Sequence, residues 1–313
     1  MTMREGILLV GGSGFLGLAL ARSLAAAGRE VHVVSRNVAP GKRDGIEFHR
    51  GGQDDAAVIV PLLQVCSSVV HLASTTTPGS SARHPAVDVL ENLLPAARFL
   101  EIIAGNTPER LVFVSSGGAI YGNPDRLPAD ESQLPSPLSN HAAGKLALES
   151  FFASFAHAHQ TSFAILRPSN LYGPGQPLRP GFGLVRTVLE RVLRSEPVEV
   201  WGDGNAVRDY LYIEDAADAC VRLLDAPRAT GVFNAGSGAG VSILGLVEMV
   251  EKATGRAVPL TFRPARGTDV RAIVLDSVRL REATGWMPRT NLAEGLQRTW
   301  AWLGTHELTG NKR

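Results

Sequence analysis

Ile7, Leu8, Leu9 and Val10 form a short apolar run that ends in glycine, the pattern of a strand buried on both faces. From Leu16 to Ala27 apolar residues recur at helical spacing, and the segment stops at Gly28. Val31 to Ser35 again has a strand pattern. The alternation then repeats: a strand over 69–73, a helix over 87–104, a strand over 111–115, a helix over 144–159 and a strand over 163–167. Such alternation predicts an α/β fold with a doubly wound parallel sheet of Rossmann type, helices covering both faces. Beyond Arg167 and Pro168 the pattern loosens. Residues 172–181 are rich in glycine and proline, and a helix over 184–194, a strand over 198–201, a helix over 215–224 and a strand over 232–235 follow. Helices at about 242–254 and 292–303 close the chain. The pattern predicts one unit over 1–167, also receiving about 206–240, and a smaller interleaved C-terminal unit, expected to be substrate-binding, mainly over 168–313.

Composition narrows the class. Apolar residues make up 44% of the 313 and charged residues 19%, a globular balance. The net charge of +1 points to neither a nucleic acid nor an anionic membrane as partner. No stretch has the ~18–20 apolar residues of a membrane span. The run from Ile7 to Ala27 has the look of a signal peptide, but four glycines interrupt it and no small-residue cleavage site follows, so a cytoplasmic location is expected. Cys66 and Cys220 lie far apart in apolar surroundings and are expected to be buried free thiols.

The glycines that interrupt the first run carry chemistry. Gly11, Gly14 and Gly17, with Phe15 and Leu16 between the last two, follow a strand and open a helix. In that context Gly11 permits a tight turn, Gly14 lets backbone N–H groups approach a pyrophosphate, and Gly17 lets the helix pack close to the sheet. The first unit is therefore a candidate dinucleotide-binding domain. A carboxylate at the end of the second strand would select NAD by binding a ribose 2′-hydroxyl. Here Ser35 and Arg36 stand at that end, donors suited to a 2′-phosphate, so the cofactor expected is NADP or NAD with a lean to NADP. Arg36 as an ordinary surface arginine is the alternative. Asp54 or Asp55 is placed to approach the adenine, or else to cap a helix.

Several further segments stand in a fixed order: GGSGFLG at 11–17, VVHLAS at 69–74, ENLLP at 91–95, VFVSSGGAIYG at 112–122, LRPSNLYGPG at 166–175 and RDYLYIEDAADA at 208–219, then RGTDV at 266–270, Asp276 and GWMP at 285–288. With them the chain resembles, over nearly its whole length, the extended short-chain dehydrogenase/reductase family, in particular its NAD(P)-dependent epimerase/dehydratase group typified by UDP-glucose 4-epimerase. The resemblance implies hydride transfer at a sugar hydroxyl or keto carbon of a nucleotide-diphosphate sugar. It implies that Leu72, Ala73, Ser115 and Pro168 line the cofactor, and that Lys145 hydrogen-bonds its nicotinamide ribose. Asn170 would contact the diphosphate of the substrate; Arg208, and Arg266 with Asp269, would hold its nucleotide end. Arginine's planar fork suits a buried diphosphate. Two plainer readings remain, an Arg208–Asp209 ion pair and an Asn170 that only caps the following turn. No metal is expected.

The resemblance breaks at the proton chemistry. Family members carry a tyrosine four residues before the lysine, and this chain has His141. The usual Ser/Thr position on the strand end falls on Gly117, with Ser115, Ser116 and Tyr121 nearby. Three readings stand. His141 replaces the tyrosine as acid/base, kept neutral by Lys145. Or Tyr121, Ser116 or another group supplies the proton. Or the chain binds cofactor and ligand with no redox turnover, or performs a different, non-redox reaction. Apolar residues crowd the helices around Leu93–Ile103 and Leu146–Phe155 on most sides; the resemblance implies a homodimer formed through these two helices, the plainer reading is that they cover the sheet of one chain, and both can hold.

Overall fold

The computed structural model describes residues 4–310 except for 78, 80, 81, 83, 180, 266 and 268; the side chains of 306–310 are not described. Among the described residues, eight strands form one sheet: β1 (Gly6–Val10), β2 (Val31–Ser35), β3 (Gly41–Arg43), β4 (Ile46–Arg50), β5 (Cys66–His71), β6 (Arg110–Val114), β7 (Ser162–Pro168) and β11 (Gly231–Ala235). Their order is β11-β7-β6-β5-β1-β2-β4-β3, parallel throughout except for the edge strand β3. This is the Rossmann-type doubly wound sheet that the apolar runs predict. The apolar side chains of β1 alternate between two cores, Ile7 and Leu9 on one face, Leu8 and Val10 on the other. A strand buried on both faces reads as a continuous apolar run for this reason.

The chain runs from β1 outward to β2 and β4, then returns to the other side of β1 to lay down β5. The sheet therefore reverses direction between β1 and β5, and in such sheets ligands bind where the order reverses, beyond the C-terminal strand ends. The helix α1 (Phe15–Ala26) packs on one face together with the helix Ile213–Asp225. The helix Asn140–Ala158 and the helical stretch that ends at Ala104 cover the other.

Smaller sheets stand beside this one. β10 (Val207–Tyr212) pairs with β8 (Asn170–Tyr172) in parallel and with β12 (Gly240–Ser242) antiparallel; β9 (Val198–Trp201) pairs with β13 (Leu260–Arg263). With the helices Leu184–Leu193, Ile243–Thr254 and Leu292–Gly310 they enclose a separate core around Val188, Leu189, Leu246 and Val250.

One predicted helix is built differently. The segment expected as one helix over 87–104 is a short turn at Pro85–Asp88, a π-helical turn at Val89–Leu93 and an α-helix at Leu94–Ala104. Pro95, in the first turn of the last piece, has no N–H to donate and its ring crowds the preceding turn, which a wider turn accommodates. Cys66 and Cys220 are both buried and free, and burial pushes each thiol up to about 12. No helix of the described residues is long and apolar enough to cross a membrane.

Candidate active site

The glycine loop meets the segment after β5 at the reversal point. A Cβ built on Gly11 would stand 2.5 Å from the Ala73 Cα, and one on Gly17 would stand 2.6 Å from the Gly12 Cα, so both positions need glycine for close approach. Leu72 closes the gap by donating its N–H to the Val10 carbonyl at 2.8 Å. Gly14 is the N-cap of α1 and supplies no side-chain cap, so the first-turn N–H groups face the crevice uncapped by the protein. An anion there would complete them, which fits a dinucleotide's pyrophosphate. Phe15 and Leu16 follow within that first turn, Leu16 buried in the core. Pro168 is buried at the end of β7, beside Ala235 of β11.

Around this loop the sequence expectations separate. Ser35 at the end of β2 takes the proton of the Ser13 hydroxyl at 2.6 Å, and Arg36 is exposed. Asp55 caps the helix Ala56–Leu62 through the Ala57 N–H at 3.1 Å, while Asp54 turns to Arg98 at 3.8 Å on the surface. Ser115, immediately after β6, has a buried hydroxyl with no protein partner among the described residues.

The helix Asn140–Ala158 begins at Ser139, whose hydroxyl accepts the Ala142 N–H. That cap sets the phase, so His141, Lys145 and Glu149, four residues apart, face inward on one buried stripe. Lys145 Nζ donates to the Val114 carbonyl at 3.0 Å and lies over the Phe113 ring. Burial pushes its ammonium down to about 8, against the pull of Glu149. His141 is pushed down to about 4, first by burial, then by the Lys145 charge, with Asp88 opposing.

The protons around His141 can be assigned one by one. The Thr75 backbone N–H can only donate, and at 2.9 Å it meets the Asn92 Oδ1, which fixes the amide with its NH2 turned the other way. That NH2 donates to the Thr76 hydroxyl oxygen at 2.9 Å. Thr76 gives its one proton to the Asp88 carboxylate at 2.5 Å. The His141 Nδ1, 3.1 Å from the same hydroxyl, must then donate to it. A neutral ring with its proton on Nδ1 has its lone pair on Nε2. Asp88, which precedes the π-helical turn, and Asn92, within it, both reach Thr76. Neither Thr76, Asp88 nor Asn92 stood out in the sequence, although Asn92 sits inside ENLLP.

Tyr121 is placed elsewhere. Its hydroxyl donates to Asn234 Oδ1 at 2.9 Å and accepts from Arg167 at 2.8 Å, and burial pushes it up. Arg167 in turn forms a two-pronged pair with Glu149 at 2.9 and 2.6 Å. The tyrosine thus belongs to a buried brace joining the helix to β7 and β11 and has no hydroxyl proton to offer a substrate. Ser116 caps the short helix Gly117–Ile120, half-buried, with no side-chain capping bond.

On the opposite wall, Arg208 and Asp209 do not pair. Asp209 is fully buried and accepts from the Ser237 N–H and hydroxyl, the Ser169 hydroxyl and the Leu275 N–H. Arg208 donates to the Val207 carbonyl at 2.9 Å; burial lowers its pKa, offset by Tyr210 and Asp269, which places Asp269 within electrostatic reach. Asn170 gives its NH2 to the Asp209 carbonyl at 3.0 Å rather than to the turn after it. Arg266 lies outside the described residues.

A family model described as the NAD dependent epimerase/dehydratase family matches residues 7–236. The chain is 30% identical over 302 residues to the UDP-glucose 4-epimerase of Mycolicibacterium smegmatis, covering 93% of this chain and 96% of that one. Among solved structures, the UDP-glucose 4-epimerase of Thermotoga maritima with UDP-glucose superposes with a TM-score of 0.89 at 30% identity, over 96% of this chain and 99% of that one. The Thermus thermophilus UDP-glucose 4-epimerase complex with NAD does so with a TM-score of 0.86 at 33% identity, over 96% and 99%. The lean toward NADP drawn from Ser35 and Arg36 finds no support here: the matched model describes NAD dependence, and Ser35 is engaged by Ser13.

Proposed function

Since the chain belongs to the NAD-dependent epimerase/dehydratase family, we propose that it epimerises a nucleotide-diphosphate sugar, with retained NAD and with His141 in place of the family tyrosine. The observation that carries the reading is the Thr75–Asn92–Thr76–Asp88 chain that leaves the His141 Nε2 as an acceptor. A bound nicotinamide supplies the hydride acceptor and donor. His141 Nε2 takes the proton of the sugar hydroxyl as the carbon is oxidised, and gives the same proton back when the keto carbon is reduced on its other face. Proton and electron pair are thereby both returned. Lys145 holds the cofactor ribose, and its charge keeps the imidazole neutral at the start of the cycle. Asn170, Arg208 and Asp269 hold the diphosphate and nucleotide end. Thr76 and Asp88 position the ring.

The direction of the His141 shift favours epimerisation over net keto-sugar reduction by NADPH. A reductase must begin with a protonated donor, and a ring pushed down to about 4 is almost wholly unprotonated at neutral pH. The exposed Val89, Leu90, Leu94 and Phe151 on the two sheet-covering helices form the surface through which the chain is proposed to pair as a homodimer.

Incubating the purified protein with a panel of UDP- and dTDP-hexoses and resolving the epimers chromatographically tests the function. We expect one epimer pair to interconvert, a loss of about 10²–10⁴-fold in kcat for His141→Ala, and about tenfold for Asp88→Asn. A His141→Ala variant with the wild-type rate would overturn the role of the histidine. Tight nucleotide-sugar binding without turnover across the panel would leave a binding protein.

A further inference from the structure

The outer strands carry a second cluster that the epimerase reading does not use. β2 reads Val-His-Val-Val-Ser and β4 reads Ile-Glu-Phe-His-Arg. Their parallel register sets His32 beside Glu47 and Val34 beside His49. Residues 47 and 49 are two apart on a strand and share a face, so all three side chains converge on one side of the sheet. His32 Nδ1 stands 3.0 Å from His49 Nε2 and 3.8 Å from Glu47 Oε2, and the three donor atoms all lie within 4.8 Å of one another.

The far side of the His32 ring fixes its tautomer. Its Nε2 is 3.0 Å from the Glu30 carboxylate, which can only accept, so the ring proton sits on Nε2 and the Nδ1 lone pair faces His49 and Glu47. A carboxylate holding the outer nitrogen of a histidine is the usual support of a metal-ligating ring, fixing its plane and raising its basicity. His32 is buried, so the ring has little room to swing away. Tetrahedral coordination with bonds of about 2.0 Å needs ligand atoms about 3.3 Å apart, close to the spacings found.

We propose that His32, His49 and Glu47 bind a divalent transition-metal ion, with Glu30 orienting the His32 ring and water completing the coordination. Two imidazoles and one carboxylate select zinc, cobalt, nickel or copper over magnesium or calcium. In the metal-free protein His32 Nδ1 accepts the His49 Nε2 proton; the ion takes the place of that proton between the two nitrogens as it moves to His49 Nδ1. Lys42 lies opposite Glu47 across β3 and β4. Bound metal ties β4 to β2, the strand whose end carries Ser35 and Arg36 beside the cofactor crevice.

Titrating the chelator-treated full chain with cobalt(II), followed by visible absorption, and with zinc by calorimetry tests the proposal. One equivalent should bind, with the band intensity of a low-coordinate histidine site. His49→Ala should weaken that binding at least about 100-fold and Glu47→Gln about tenfold or more, while Cys66→Ala leaves it unchanged. Zinc should raise the melting temperature of the wild type and not of His49→Ala. Wild-type protein that binds cobalt and zinc no more tightly than His49→Ala overturns the site. Should His49→Ala fail to fold, Glu47→Gln, at a half-exposed position, decides in the same way.

Discussion

An added Cβ at Gly117 would stand 2.6 Å from the Leu275 Cδ1 and 2.8 Å from the Arg167 carbonyl oxygen. The leucine tip can move aside; the carbonyl belongs to β7 and cannot move without shifting the sheet. A strand-end hydroxyl at position 117 is therefore disfavoured by packing, and His141, the proposed acid/base group, hydrogen-bonds to Thr76 instead. Two changes that look independent in the sequence, His141 and Gly117, fit one rearrangement. Restoring the hydroxyl should accordingly fail. Gly117→Ser is expected to destabilise the fold by about 1–3 kcal/mol, as overpacking does, with no gain in turnover; adding Leu275→Ala should recover only part of the loss. Urea midpoints of the three proteins check this, and a Gly117→Ser variant as stable as the wild type would show that the carbonyl contact is relieved without cost.

The helix Asn140–Ala158 brings function and stability onto one stripe. His141 and Lys145, the proposed site residues, lie buried on it, and one turn further Glu149 braces the same helix to β7 through Arg167, with side chains 5% and 6% exposed. Removing one partner of such a pair leaves an uncompensated buried charge, so Glu149→Gln should cost about 3–5 kcal/mol in unfolding free energy. Glu149 also opposes the burial that depresses Lys145. Its loss should therefore lower the Lys145 pKa further and move the alkaline limb of the pH–rate profile to lower pH; a limb that stays put would confine Glu149 to a structural role. Elements of this kind were legible beforehand wherever apolar residues ran continuously: β1, β2, β7, β9 and β11 fall on the predicted runs. β3 and β4 lack such a run: Gly41–Arg43 is polar, and in Ile46–Arg50 the apolar Ile46 and Phe48 alternate with polar residues. The short β8 and the strand β10 were read as motifs rather than as strands. The glycine loop was legible because its chemistry lies in seven consecutive residues. The orienting group for His141 was not, because Thr76, Asp88 and Asn92 come from a loop and a π-helical turn whose inward face no period of 3.6 residues predicts.

At the scale of the molecule, the proposed pairing and the buried histidines bear on the same measurement. Phe151 is 47% and Leu90 61% exposed, on helices whose buried residues Phe99, Ile103, Leu148 and Phe152 fill the core. Phe151→Glu should shift the protein from dimer to monomer in sedimentation; an unchanged sedimentation coefficient would remove that face from the interface. Stability must then be compared at fixed protomer concentration, since dissociation and unfolding are linked. Under that condition acid should act most strongly on two buried histidines. His71, fully buried among Phe99, Phe113 and Phe152 with Nε2 on Gln53, is pushed down to about 3 by burial and then by Lys145. His141 is pushed down to about 4. The unfolded chain protonates both near 6.5, so between about pH 6 and 4 it binds more protons than the folded chain does. Stability is then fully present above the unfolded value and falls as pH drops, each histidine contributing up to about 1.4 kcal/mol per pH unit. Urea unfolding at successive pH values should show a combined slope of up to about 2.7 kcal/mol per unit in that window. His71→Phe, which keeps the aromatic packing and leaves the half-exposed Gln53 to water, should reduce this slope by about half. A slope untouched by His71→Phe would mean that the ring between those three phenylalanines titrates as it does in water.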